Sequence, residues 1–521
     1  MFQINGFLPE TSGFQIMNSN RSLYLKRNTV WSLILQITTV VCGFILPKFI
    51  LGAFGSEANG LINSVTNFLG FISLCELGVG AVIPANLYRP IAENDMDKIS
   101  AVMASAQRFY RTVAFILAAY VLILIGFYPF LVSDKFSFLY TASIIIIIAA
   151  SSFARYFFGI ICNLLLKSYQ KQYVSFALEV ATIVANLLFS IILIKCGFDL
   201  IIVKLVSSLV FISRPLILTF YVKKHYKLNL KIKYDKEPIK QKWNGITHQI
   251  ALVVQEKSGA VILTMFSTLS NVSVYAVYYM IVNGIKSVLS SLTIGVSSFL
   301  GDILAKDETE NLKKSFSKFE WITHTVSTYL FSVAGILLVP FVKVYTKGLA
   351  DSDIYITPLF SALICIAFAI GCIQLPYSTL TQVAGHFKQT QQSAVIESAL
   401  NIVISVLAVL KFGLAGVAIG ALISLLYKLL YLSTYLMKNI IFIKPINFAK
   451  QILVDIISAA LMVLSATWLE MKAVSLRACI MLGLPVALIC LIISLVINLI
   501  FYKEQLISIL QPISNKFRRE K

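Results

Sequence analysis

From residue 29 almost to the C-terminus, apolar runs of about 20 residues follow one another with only short polar breaks between them. A helix of that length crosses the hydrocarbon of a bilayer and pairs every backbone N–H and C=O within itself, which a lone strand cannot do there. Membrane strands would alternate polar and apolar positions, and the run TASIIIIIAASSF at 141–153 shows no such alternation. The expected fold is therefore an all-α polytopic membrane protein. Composition agrees, because with 58% hydrophobic and only 13% charged residues among 521 the chain lacks the polar surface of a water-soluble globule.

Charged and turn-forming residues divide the runs into fourteen spans, at 29–51, 60–87, 112–133, 138–166, 173–195, 199–222, 246–268, 273–300, 321–345, 355–383, 392–411, 413–437, 451–469 and 477–502. With the N-terminus in the cytoplasm, Arg21, Lys26, Arg27, Arg89, Lys98, Arg108, Arg111, Lys167 and Lys171 all fall on the inner side. Most of the 44 Lys and Arg do the same, as the positive-inside tendency requires, and the even number of spans returns the C-terminus to the cytoplasm. The expected location is the cell (cytoplasmic) membrane. The net charge of +20 is spread over membrane-flanking loops, so it reflects topology and excludes a nucleic-acid footprint. Its densest block, KKHYKLNLKIKYDKEPIKQKWNG at 223–245, reads as a solvated linker near anionic lipid headgroups or as a docking surface for a cytosolic partner. The first twenty residues hold no Lys or Arg and do not read as a cleaved signal peptide, and Met17 heads an alternative, shorter start.

Soluble-enzyme chemistry finds no footing. The eight cysteines lie mostly inside apolar runs without a CxxC pair, the four histidines are scattered, and HExxH and GxxxxGK[ST] are absent. No cofactor is indicated, and with no nucleotide motif the energy source would be H+, Na+, the membrane potential or a substrate gradient.

The basic block separates two sets of six spans, and segments on its two sides match at a spacing of 218 residues. FALEVATIVANLLFSIILIKCGFDLIIV (176–203) resembles AVIESALNIVISVLAVLKFGLAGVAI (394–419), placing Glu179 opposite Glu397. LGVGAVIPANL (77–87) pairs more loosely with IGVSSFLGDIL (294–304). Matched segments begin on the same side of the membrane, so two six-helix lobes related by a parallel pseudo-twofold axis are expected around a central cavity, with a C-terminal helix pair appended. The domains become a tail (1–28), an N-lobe (29–222), the basic linker (223–245), a C-lobe (246–437), the appended pair (438–502) and a basic tail (503–521).

Fourteen spans, a six-plus-six repeat and ELGVGAVIPANLYRPIAENDMDKI at 76–99 resemble the polysaccharide transporters, the Wzx-type flippases, of the multidrug/oligosaccharidyl-lipid/polysaccharide exporter superfamily. That resemblance implies a non-enzymatic flippase. It would carry a polyprenyl-pyrophosphate-linked oligosaccharide from the cytoplasmic to the outer leaflet by alternating access, for capsule, O-antigen or exopolysaccharide assembly, with polysaccharide polymerase machinery as a possible partner. A drug exporter of the same superfamily and, from a different class, a membrane glycan polymerase or glycosyltransferase are the alternatives.

An anionic pyrophosphate needs cations, and each costs about 2.5–3.5 kcal/mol at mid-membrane without a role or a partner. Six basic residues fall within spans: Arg155, Lys204, Arg214, Lys257, Lys286 and Lys428. Lys286 and Lys257 are best placed for the pyrophosphate, followed by Arg155, Arg214 and Lys204, with Lys48 at the exit. For each, a snorkelling side chain or a structural ion pair is the plainer reading. Glu256 and then Glu76 are the candidate ion-coupling carboxylates, and Arg89 the candidate cytoplasmic gate. Glu179 and Glu397 read as helix N-terminal charges. YAVYYM at 275–280 reads as an interfacial aromatic belt or as rings that stack on sugars.

Overall fold

The structure, a computed structural model, describes residues 11–76, 79–226, 228–230, 246–466 and 475–507. Secondary structure there is helical, with no strand among the described residues. Twelve helical stretches are long and apolar enough to cross a membrane. Two features bring that number to about fourteen. The first stretch, Lys26–Glu76, is 51 residues long, far more than one crossing needs, and at Gly55 its backbone leaves the helical region (φ 79°, ψ 177°), so it holds two helices. The second is α8 (Ile246–Phe266), long enough at 21 residues but made more polar by Gln255, Glu256 and Lys257.

Large apolar side chains point outward on many helices. Leu122, Leu139, Phe220, Leu410 and Met481 are all more than 65% exposed, a surface that only lipid covers at acceptable cost. The chain is a multi-pass membrane protein.

Two compact units emerge, Met1–Ala53 with Ile72–Asn244, and Phe54–Phe71 with Gly245–Lys521. The first holds the opening part of α1 (Thr11–Gly70), then α2 (Val79–Ala92), α3 (Met96–Leu131), α4 (Phe138–Ala154), α5 (Ile160–Ser168), α6 (Gln172–Lys195) and α7 (Leu200–His225). The second holds the rest of α1, α8, α9 (Leu269–Ala305), α10 (Thr309–Tyr345), α11 (Pro358–Ile373), α12 (Leu375–Val383), α13 (Phe387–Phe412), α14 (Leu414–Asn439), α15 (Pro445–Ala466) and α16 (Leu476–Phe501).

The two units pack in the same order. In the first, α3 lies on α4, α4 on α7 and α6 on α7; in the second, α10 lies on α11, α11 on α14 and α13 on α14. Corresponding spans are also interrupted at corresponding places. Between α4 and α5 the backbone makes a π-turn over Arg155–Gly159, with the Ile160 N–H bonded to the Arg155 carbonyl. Between α11 and α12, 218 residues on, the helix breaks at Gln374, because Pro376 has no N–H to return to the preceding turn. Each break opens the helix wall at the place where a polar cavity lies.

Close helix approach depends on glycine at two positions of α14. A Cβ on Gly416 would meet the Ala408 and Val409 backbone at 2.3–2.6 Å, and one on Gly420 would lie 2.0 Å from Ser405 Oγ. A methyl group at either position therefore pushes α14 off α13. Replacing Gly416 by Ala is expected to lower stability by about 1–3 kcal/mol. Gly43→Ala, with open space around the new Cβ, should change the thermal unfolding midpoint far less. Fluorescence-detected unfolding of the two variants side by side checks this.

Candidate functional site: two cavities, each beside an ion pair

In the first unit a cavity of about 490 Å³ is lined by Arg155, Asn163, Gln172, Ser175, Glu179 and Arg214 among others. Arg214 Nη2 donates to Glu179 Oε2 at 2.7 Å, with both side chains mostly shielded. Arg155, at the start of the π-turn, forms no ion pair among the described residues. The insertion there re-aims the side chains that follow it, a device often found at functional sites. Gly159, at the end of the turn, allows the close approach of Pro215, which a Cβ would meet at 2.9 Å.

The second unit repeats the arrangement. Its cavity, about 130 Å³, is lined by Glu256, Tyr279, Lys286, Phe368, Gln374 and Lys428, with Ser378, Thr381 and Gln382 of α12 on one wall. Lys428 Nζ lies 2.5 Å from Glu397 Oε2, and the two side chains are 8% and 2% exposed. Among the described residues no well-directed hydrogen bond reaches either Glu397 oxygen, so this ion pair is the carboxylate's main compensation for leaving water. Lys286, without an ion pair among the described residues, holds Nζ 5.8 Å from the Phe368 ring centroid, within range of a cation–π attraction.

The two pairs follow the repeat. Glu179 and Glu397 are 218 residues apart, and each binds a cation on the next span, 35 residues on in one case and 31 in the other, a difference of about one helical turn. Each cavity thus has one cation fixed by a carboxylate and one without an ion pair, Arg155 or Lys286. The helix N-terminal reading of Glu179 and Glu397 does not hold. They are the eighth residue of α6 and the eleventh of α13, beyond the first turn where the helix dipole acts.

The remaining candidates are dispersed. Lys257 does not line the cavity that its neighbour Glu256 lines; its stem lies against Gly70, where a Cβ would sit 3.1 Å from Cε. Successive helix positions point about 100° apart, which separates these two side chains. Lys204, on the first turns of α7, lines neither cavity, and Lys48 is exposed on α1 just after Pro47. Arg89 is 87% exposed and pairs with Glu93 at 2.7 Å, beside a Lys98–Asp95 pair at 2.8 Å, in the acidic turn that Asp95 ends by capping α3. Exposed pairs of this kind contribute little to stability.

Glu76 ends the 3-10 turn Phe71–Glu76 and accepts a hydrogen bond from the hydroxyl of Tyr156, the residue after Arg155. The helix is interrupted before Gly80 and Pro84, so the glutamate stands in the break itself; Gly78 lies outside the described residues, as does most of the basic block 223–245. Tyr275 and Tyr279 line the second cavity, and Tyr278 is fully buried and donates to the Tyr355 carbonyl, so these rings face the protein interior and do not form a belt toward lipid headgroups.

Sequence reasoning missed the role of Lys428 and Glu397 as a pair and of Tyr156 as the partner of Glu76. The spacing of 218 residues was the signal for the first. Nothing in the sequence signals the second, since the contact spans 80 residues and depends on how the π-turn aims the ring.

The fold has solved counterparts. Over 92% of this chain and all of the other, the structure is similar to the lipid II flippase MurJ in an inward closed conformation, with a TM-score of 0.66 and 16% identity. It is similar to an inward-facing multidrug resistance MATE family transporter of the MOP superfamily (TM-score 0.59, 14% identity, 77% of this chain and 95% of that one). A eukaryotic MATE transporter, AtDTX14, is also similar (TM-score 0.53, 11% identity, 80% and 96%). No protein-family model matches the chain. No curated protein sequence matches it. At these identities the likeness establishes a shared fold.

Breaking one partner of the shielded Lys428–Glu397 pair should cost about 3–5 kcal/mol, because it strands a buried charge. Lys428→Met is therefore expected to lower the unfolding midpoint strongly, and the Lys428→Met/Glu397→Gln double variant to recover much of the loss. Additive losses in that cycle would show that the two side chains are not coupled.

Proposed function

We propose that the protein is a flippase. It moves an oligosaccharide carried on a polyprenyl pyrophosphate from the cytoplasmic to the outer leaflet. The observation that carries this reading is the pair of cations, Arg155 and Lys286, that line the cavities without an ion pair among the described residues. A cation that lines a cavity without an ion pair favours an anionic group, and a guanidinium can hold two phosphate oxygens at once. The first cavity suits the pyrophosphate better. It is the roomier one, it is lined by amides and hydroxyls, and its two arginines outnumber its single glutamate. Likeness to a lipid II flippase supports a lipid-linked cargo.

In this account Arg155 takes the diphosphate while the Arg214–Glu179 pair holds α7 against α6 as a fixed wall. Lys286 offers a second station for negative charge. The second cavity's volume of about 130 Å³ holds only a few water molecules, so a headgroup enters it only in another conformation of the cycle. Ion coupling, to H+ or Na+, falls to Glu256, which lines this cavity, with Glu76 next because its tyrosine partner adjoins Arg155. The membrane potential would act directly on the charged cargo. A polysaccharide polymerase would take the product on the outer side.

The second reading is a drug exporter, which one observation favours: Glu256, Tyr275, Tyr279 and Phe368 give the second cavity an acidic and aromatic wall suited to an organic cation. Reconstituted vesicles separate the two readings. The flippase reading expects transfer of a short polyprenyl-pyrophosphate-linked oligosaccharide, reduced roughly tenfold or more by Arg155→Ala and less by Arg155→Lys, in line with a lost charge-assisted hydrogen bond of about 1.5–3 kcal/mol. Undiminished transfer by an Arg155→Ala/Lys286→Ala variant would overturn it. Gradient-driven movement of a quaternary ammonium dye, lost in Glu256→Gln with no transfer of the lipid-linked glycan, would establish the exporter.

A further inference from the structure

Away from both cavity walls, four titratable side chains of the second unit form an unbroken chain of hydrogen bonds. Tyr377 Oη lies 2.5 Å from Glu320 Oε1 and 3.1 Å from His324 Nε2, and His324 Nδ1 lies 2.6 Å from Asp455 Oδ2. His324 has no exposed surface. The chain ties α10, which supplies Glu320 and His324, to α12 through Tyr377 and to α15 through Asp455.

Proton counting makes this cluster more than a fastening. Three hydrogen bonds link four groups, and each needs one proton between its two heavy atoms. Neutral Tyr377 brings one proton and neutral His324 one, while ionised Glu320 and Asp455 bring none. The geometry therefore holds a third proton, whether on the second imidazole nitrogen or on a carboxylate. Among the described residues nothing nearby substitutes for it. The Tyr377 ring packs edge-on against Phe316 and Phe448, with ring centroids 5.8 and 5.7 Å apart, in an apolar cluster. The Gln451 amide donates to the other Asp455 oxygen at 3.4 Å.

Among the described residues the surrounding elements add no charge that fills the same role: α14 carries Lys428, held by Glu397, and the exposed Lys438 in its last turn, and Lys318 of α10 is exposed. Among the described residues α11 carries no charged residue, and the charges of α9 are Lys286, in the cavity, and Asp302, paired with Lys306. The charge on α16 is Arg477 at its N-terminal end, and Tyr502, just past its C-terminal end and within electrostatic reach of Glu320 and Asp455, lies tilted against Trp321 with ring centroids 6.5 Å apart, beneath Lys450 of α15. Asp353, in the short turn Ser352–Tyr355, follows the far end of α10, about 30 Å along the helix from His324.

We infer that Glu320, Tyr377, His324 and Asp455 form a proton-binding site whose occupancy fastens α12 to α10 and α15. Loss of the proton leaves two protons for three links, and one of the links opens. Ser378, Thr381 and Gln382 of α12 line the cavity, so the wall that faces the transport site is held by a proton bound behind it. The site does not depend on what the cavity carries.

The sign follows from linkage. Above about pH 6.5 an unfolded histidine has released its extra proton and the carboxylates are ionised. The folded quartet then binds one proton more than the unfolded chain, so stability falls as pH rises. Two conservative substitutions remove the need for the third proton. In Asp455→Asn an amide N–H replaces it toward Nδ1, and in Glu320→Gln an amide N–H replaces it toward the tyrosine oxygen. The experiment is thermal unfolding of the full chain in lipid nanodiscs from pH 6 to pH 9. The unmodified protein is expected to lose stability with rising pH, and the slope of midpoint against pH in both variants to be at least twofold shallower. Should one variant fail to fold, the other gives the same reading. Equal slopes in the unmodified and variant proteins, or no slope in the unmodified protein, would overturn the site.

Discussion

An ammonium and a carboxylate 2.5 Å apart inside a helical membrane protein, each less than a tenth exposed, constrain much of the second unit. Neither group tolerates that position alone, so α13 and α14 must stay in register to keep Lys428 on Glu397. The register is possible because Gly416 and Gly420 let the two helices approach almost to backbone contact. In the first unit Arg214 and Glu179 do the same for α7 and α6. With one cation of each cavity neutralised, the remaining one, Arg155 or Lys286, is left to attract something else. That division of labour is the physical core of the proposed anion transport.

A helix break places one of those remaining cations, Arg155, while Lys286 sits on the unbroken α9 beside the cavity that the other break lines. A continuous helix presents side chains at fixed angles, whereas the π-turn at Arg155–Gly159 and the proline break after Gln374 re-aim the chain in mid-span. Glu76, at the end of a third interruption, is held by the tyrosine next to Arg155. Its place is in a local polar assembly around the π-turn, which is why an apolar segment retains a carboxylate.

Much of the fold was legible in the sequence, for a physical reason: in lipid the backbone must be helical, so apolar length alone marks the spans. The kink at Gly55 and the polar α8 were also within reach, because the spans read at 29–51 and 60–87 leave a gap around Gly55 and because the run at 246–268 was itself read as a span. The cavities were less legible. Lys286 and Glu256 both line the second cavity, but Lys257, as central in its span as Lys286, turns away to pack on Gly70, since a helix face is chosen by angle and not by depth. The pairing of Lys428 with Glu397 needed the repeat to be followed one step further. The Glu320–Tyr377–His324–Asp455 chain needed distances, since its members lie up to 135 residues apart and share no motif.

The central claim is that the cations without ion pairs recognise a diphosphate carried on a lipid. Its most direct measurement is native mass spectrometry of the purified protein with polyprenyl pyrophosphate and with the uncharged polyprenol of equal length. The account predicts that the unmodified protein retains the pyrophosphate in preference to the alcohol, and that Arg155→Ala/Lys286→Ala loses that preference while still binding both lipids weakly through their chains. Equal retention of the two lipids by the unmodified protein, or an unchanged preference in the double variant, would contradict it.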